Sequence, residues 1–187
     1  MNVQITYKKT LKNKANPNYI IFTEEKFSIN SLKNSISKSE FSFISDVLKN
    51  SDTNKNFLDF QVSSKKKIIL VSLKEKISTS EIENLGGKFY KHITDNKIHE
   101  YVLDTNFISD KKKNIIGHFF HGIKLKSYKF DKYKTKKDKK IITINIVGKT
   151  IPSSNDQIKF SSIEDGTFYT RDLVSEPGNV LHPDEYA

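Results

Sequence analysis

Cysteine is absent from this chain of 187 residues. Disulfides, thiolate metal sites and cysteine nucleophiles are thereby excluded. Arginine is almost absent: Arg171 is the single one, and lysine carries the rest of a formal net charge of +10. That charge raises nucleic acid as a partner. Phosphate and base-edge readers favour the flat, forked guanidinium, however. A Lys-, Asn- and Ile-rich, Arg-poor chain reads more simply as a product of AT-rich codons. No stretch approaches the ~18–20 continuous apolar residues that span a bilayer. The start, "MNVQITYKKTLKNK", alternates like a strand, then turns polar, and lacks the apolar core of a signal peptide. No membrane partner is expected, and a cytoplasmic location is the default.

What is present is an alternation of strands and helices. Strands are expected at Val3–Tyr7, Tyr19–Phe22, Phe57–Val62, Lys66–Leu73, Lys97–Thr105 and Ile141–Gly148. The stretch Asn16–Asn18 is a turn signal. A first helix is expected from Ser39 as cap, with Phe43, Ile44, Val47 and Leu48 at helical spacing. A second spans Ser78–Ile93, capped by Ser78, Thr79 or Ser80, with Ile82, Leu85, Phe89 and Ile93 on one face. A third covers Lys111–Phe130. Pro152–Asp156 breaks the pattern. A last helix runs from about Gln157 to about Ser175, with Ile158, Ile163, Phe168 and Leu173 among its apolar positions, and Glu176–Asn179 stops it. The expected fold is α/β, a central mixed or largely parallel sheet with helices on both faces.

Chemistry-bearing motifs are few. Gly86–Gly87 lies inside a helical pattern, where backbone N–H groups are not free to cradle phosphate. Close packing against the sheet is the favoured reading, since glycine lets backbones approach. His118 and His121 stand three apart on one helix, a spacing that can share a metal. The bland reading is two histidines flanking Phe119–Phe120 on a half-buried helix, with no third ligand at matching spacing. His92, His99 and His182 are scattered singly. The pairs Glu24–Glu25 and Asp184–Glu185 are adjacent and do not define an acid–base site. No G-x-S-x-G turn, G-x-G-x-x-G or Walker loop is present. The lysine runs Lys65–Lys67, Lys111–Lys113 and Lys136–Lys140 read as solvated faces. No residue is assigned to catalysis, cofactor binding or metal binding.

The end of the chain raises a different expectation. Pro183, Asp184 and Glu185 read as the opening of a helix, with proline in the first turn and acids against the positive helix end. One turn cannot offset its own nucleation. The chain therefore reads as the front part of a longer protein.

Three stretches, "IENLGGKFYKHI" (Ile82–Ile93), "GIKLKSYKFDKYKTKK" (Gly122–Lys137) and "FYTRDLVSEPGNVLHPDEYA" (Phe168–Ala187), resemble the leucine (cytosol) aminopeptidase family. The third resembles the family's junction between N-terminal and catalytic domains, although His182 stands where a Thr-like cap is expected before Pro183. The resemblance implies a macro-domain-like α/β domain over residues 1–152, a linking helix over 153–176, and the start of a truncated C-terminal catalytic domain over 177–187. It implies that the parent removes N-terminal residues from peptides with two divalent metals, Mn or Zn, whose ligands lie beyond this chain. It also implies a homo-hexamer in which this domain is a peripheral, non-catalytic assembly or regulatory piece. Two stand-alone alternatives remain open: a Lys-rich module with weak nucleic-acid binding, and a macro-type nucleotide-binding domain.

Overall fold

The computed structural model describes residues 3–8, 18–33, 36–96, 98–108, 114–135 and 140–181. Six strands form one sheet: β1 (Val3–Lys8), β2 (Asn18–Thr23), β3 (Phe57–Ser63), β4 (Lys66–Ser72), β5 (Glu100–Asp104) and β6 (Ile142–Val147). Their order across the sheet is β1-β6-β5-β2-β4-β3. All neighbours are parallel except β3 and β4, an antiparallel hairpin. Four helices accompany them: α1 (Lys38–Lys49), α2 (Thr79–Thr94), α3 (Ile115–Ser127) and α4 (Ser154–Ser175). The fold is thus α/β with a mixed sheet, as the alternation of patterns predicts.

Strand alternation sends side chains to two cores. On one face Ile20, Phe22, Ile69, Val71, Tyr101, Leu103, Ile144 and Ile146 pack beneath α2 and α3. On the other, Ile21, Ile68, Leu70 and Phe60 pack with Ile44 of α1. Phe119 is the hub of the first core, edge-on to Phe22 at 5.0 Å and to Phe120 at 5.4 Å. Such edge-to-face pairs add to simple burial.

Several boundaries differ from expectation. Helix α1 is capped by Ser37, not Ser39. Ser37 accepts from the Glu40 N–H while Glu40 accepts from the Ser37 N–H, a reciprocal capping box. Only Ile44 of its four expected apolar positions is buried, whereas Phe43 and Val47 are exposed. Helix α2 starts behind Ser78, which forms the same box with Glu81. Strand β5 begins three residues later than expected, at Glu100. Helix α3 stops at Ser127 rather than Phe130, because Tyr128 turns to extended backbone (φ −58°, ψ 135°). Pro152–Asp156 does not precede α4 but starts it: Ser153 caps the Asp156 N–H and the helix begins at Ser154.

The expectations placed on Asn16 and Pro17, Lys97, Lys111–Lys113, residues 136–139, His182 and Pro183–Ala187 lie outside the described residues. No described helix is long and apolar enough to cross a membrane.

Candidate functional site

The three sequence stretches singled out above meet in space. Over their described residues, the first lies in α2, the second runs from the end of α3 into the segment after it, and the third takes in the second half of α4 and the residues that follow it up to Leu181. Helices α2 and α3 touch through glycines. A Cβ on Gly86 would lie 2.0 Å from the Phe119 carbonyl oxygen, and one on Gly122 would lie 2.0 Å from the Glu83 carbonyl oxygen. Close packing is confirmed at Gly86, but its partner is α3 rather than the sheet. Gly87 is different: a Cβ there would make an ordinary 3.7 Å contact with Lys126.

Helix α4 lies on α3. Phe160 covers Gly117, where a Cβ would clash at 2.4 Å with the Phe160 ring. Beside it, His121 donates from Nδ1 to Glu164 at 3.0 Å, and both residues are buried. The only buried residue of α4 is thus a carboxylate. Tyr7 of the edge strand β1 faces the same pair. Burial, reinforced by the Glu164 charge, pushes the Tyr7 hydroxyl up to about 12. A cavity of about 330 Å³ lies here, between Ile5 and Tyr7 on one side and His121, Phe160 and Glu164 on the other.

The far half of α4 is anchored to the segment after α3. The Arg171 guanidinium donates to the Leu125 carbonyl at 2.6 Å, one of the last-turn carbonyls that a helix leaves unpaired. A cation there also complements the helix dipole. Tyr128 stacks on Phe168 with ring centroids 5.5 Å apart and donates to Asp172 at 2.7 Å. Burial and that acceptor raise the Tyr128 pKa. Lys132 pairs with Glu176 at 2.6 Å, and Tyr133 donates to the same carboxylate. The Lys132 hydrogen bond, joined by that of Tyr133, lowers the Glu176 pKa.

Among the described residues, His118 and His121 are turned to different partners. His118 donates to Glu83 at 2.8 Å, while His121 is held by Glu164. Each imidazole is committed to a carboxylate on a different helix, and both rings contact Phe160. Among the described residues no group of three or more metal-ligating side chains comes together. The donor set does not fit a pair of divalent ions. His99 is exposed. His92 bonds to Asp59 at 2.7 Å, and Lys67 pairs with the same carboxylate at 2.6 Å. Burial opposes ionisation of Asp59, but the His92 and Lys67 hydrogen bonds prevail and lower its pKa. Lys66 pairs with Glu40. The reading of Lys65–Lys67 as a solvated face is therefore corrected for Lys66 and Lys67. Their partners sit on other elements, so local sequence gave no sign of them.

Residues 50–137 match the cytosol aminopeptidase family, N-terminal domain. The chain carries that domain. A probable cytosol aminopeptidase of Wolbachia pipientis wMel is 32% identical over 155 residues, covering 77% of this chain and 30% of the relative. Among solved structures, a tomato leucine aminopeptidase mutant matches with a TM-score of 0.70 at 16% identity, over 100% of this chain and 41% of that one. The bottromycin maturation enzyme BotP in complex with Mn matches with a TM-score of 0.61 at 12% identity, over 92% and 34%. These structural likenesses establish the fold. The chain spans about a third of the length of its curated relative.

Proposed function

We propose that the chain is the non-catalytic assembly or regulatory domain of a cytosolic leucyl aminopeptidase. The observation that supports this reading is the docking of α4 onto α3 through His121–Glu164 and Arg171–Leu125, and the tie of its C-cap to the segment after α3 through Lys132–Glu176. These contacts fix the direction of the helix that would join the body to its catalytic partner. In this reading residues 1–152 are the α/β domain, 153–176 the linking helix, and 177–187 the first residues of the catalytic domain.

The parent would remove N-terminal residues from peptides and assemble as a homo-hexamer in the cytoplasm. Two divalent metals, Mn or Zn, would activate water and polarise the scissile carbonyl in the catalytic domain. The residues of this chain would position that domain, and none would ligate the ions. Weak nucleic-acid binding through surface lysines is the second partner reading, supported by the +10 charge alone.

The test is to read the coding frame beyond Ala187 and to assay the full gene product on a leucyl chromogenic substrate with Mn²⁺. Metal-dependent hydrolysis by a hexamer is expected. A full product that is monomeric and inactive with every divalent metal contradicts the proposal.

A further inference from the structure

The outer surface of the α2–α3 pair carries an open groove of about 650 Å³. Lys88 and Lys91 of α2, Lys126 of α3 and Arg171 of α4 line it. Glu83 is the one carboxylate in its lining, and His118 already engages it at 2.8 Å. Some lysines elsewhere are neutralised locally: Lys49 by Asp46, Lys67 by Asp59, Lys74 by Glu81, Lys132 by Glu176. Among the described residues, Lys88, Lys91 and Lys126 have no such partner.

The groove is also shaped. Gly87 and Gly122 contribute no side chain to its lining. Gly122 is required by the helix contact, but Gly87 is not, since a Cβ there meets only the Lys126 side chain and the Gly122 carbonyl at 3.7 and 3.8 Å. Its missing side chain leaves the groove open without serving close approach. Arg171 is held in place: it donates to Leu125 and lies 5.5 Å over the Tyr128 ring. Its remaining N–H donors are in a fixed fork, the geometry that suits phosphate oxygens. Three exposed ammonium groups around one oriented guanidinium make a site for concentrated negative charge.

We infer that this α2–α3 groove binds a compact polyphosphate anion. The cations converge from three helices on one concavity, which suits a short chain of phosphates rather than an extended polymer. Lysines supply point charges that contact phosphate oxygens without reading a base. The inference stands independently of the peptidase reading.

The test is calorimetry of the 187-residue chain with inorganic tripolyphosphate and with orthophosphate. One tripolyphosphate should bind per chain, about tenfold or more tighter than orthophosphate, and binding should weaken as salt rises, because exposed charges are screened. Lys91→Glu and Gly87→Glu should each weaken binding about tenfold or more. Lys38→Glu makes the same charge change as Lys91→Glu in the first turn of α1, which packs on the opposite sheet face, and should change binding less than twofold. Lys91→Gln, which adds no charge, keeps the test open if Gly87→Glu fails to fold, and should weaken binding by a smaller factor. An absence of tripolyphosphate binding overturns the inference. So does equal weakening by Lys38→Glu and Lys91→Glu, or a stoichiometry of several chains on duplex DNA that tripolyphosphate does not displace.

Discussion

Gly86 of α2 faces Phe119 of α3 so closely that a Cβ on Gly86 would fall 2.0 Å from the Phe119 carbonyl oxygen. No side-chain rotation relieves a clash with backbone, so the helices would have to separate. Gly86→Ala, and by the same geometry Gly122→Ala, should destabilise the fold by about 3 kcal/mol or more. Gly87→Ala should leave stability unchanged or raise it by up to about 1 kcal/mol, since alanine is the better helix former and meets no backbone obstacle. Urea unfolding midpoints of the three variants check this. Equal loss in all three contradicts it.

The His121–Glu164 pair carries the docking of α4. Glu164→Ala leaves a buried imidazole without its acceptor and should cost about 2 kcal/mol. The loss should be local, so amide exchange should accelerate along α4 while β2 and β4 keep their protection. Uniform acceleration across the sheet would mean that α4 is not a separate cooperative unit.

Acid should weaken the fold through Asp59 and Glu176, both held below the usual carboxylate range in the folded state. A depressed folded pKa contributes stability that is complete above the unfolded value, about 4, and is lost as pH falls through the folded value. Asp59→Asn should flatten the acid limb of the stability–pH curve relative to the parent chain. An unchanged limb contradicts the role given to His92 and Lys67.

Alkali acts with the opposite sign. Burial raises Tyr7 and Tyr101 to about 12. A raised folded pKa contributes stability that is complete below the unfolded value, about 10, and is lost as pH climbs through the folded one. Tyrosinate absorbance should therefore show a late-titrating fraction, with stability falling between about pH 10 and 12. Tyr7→Phe should remove part of that fraction and part of the alkaline loss.

Helix α2 was legible in sequence because Ile82, Leu85, Phe89 and Ile93 mark its face, while its cap, open among Ser78, Thr79 and Ser80, is decided by Glu81, three residues after Ser78. The start of α1 was ambiguous because Ser37 and Ser39 are both capping types. The deciding signal is Glu40, three residues after Ser37. Ser153 and Asp156 carry the same spacing at the start of α4, hidden behind a stretch that looks like a loop. The face of α4 could not be read from apolar periodicity. Its buried residue is Glu164, while Ile158 and Ile163 are 64% and 45% exposed. The anchoring contacts join residues more than forty positions apart, so only the fold brings them together.

The proposed role is that of a non-catalytic domain of a metallo-aminopeptidase. Its sharpest check is hydrolysis of a leucyl chromogenic substrate by the pure 187-residue chain, with Mn²⁺ or Zn²⁺ added over a wide range. No turnover above buffer is expected at any metal concentration. Metal-dependent release of the chromophore, abolished by chelator, would contradict it.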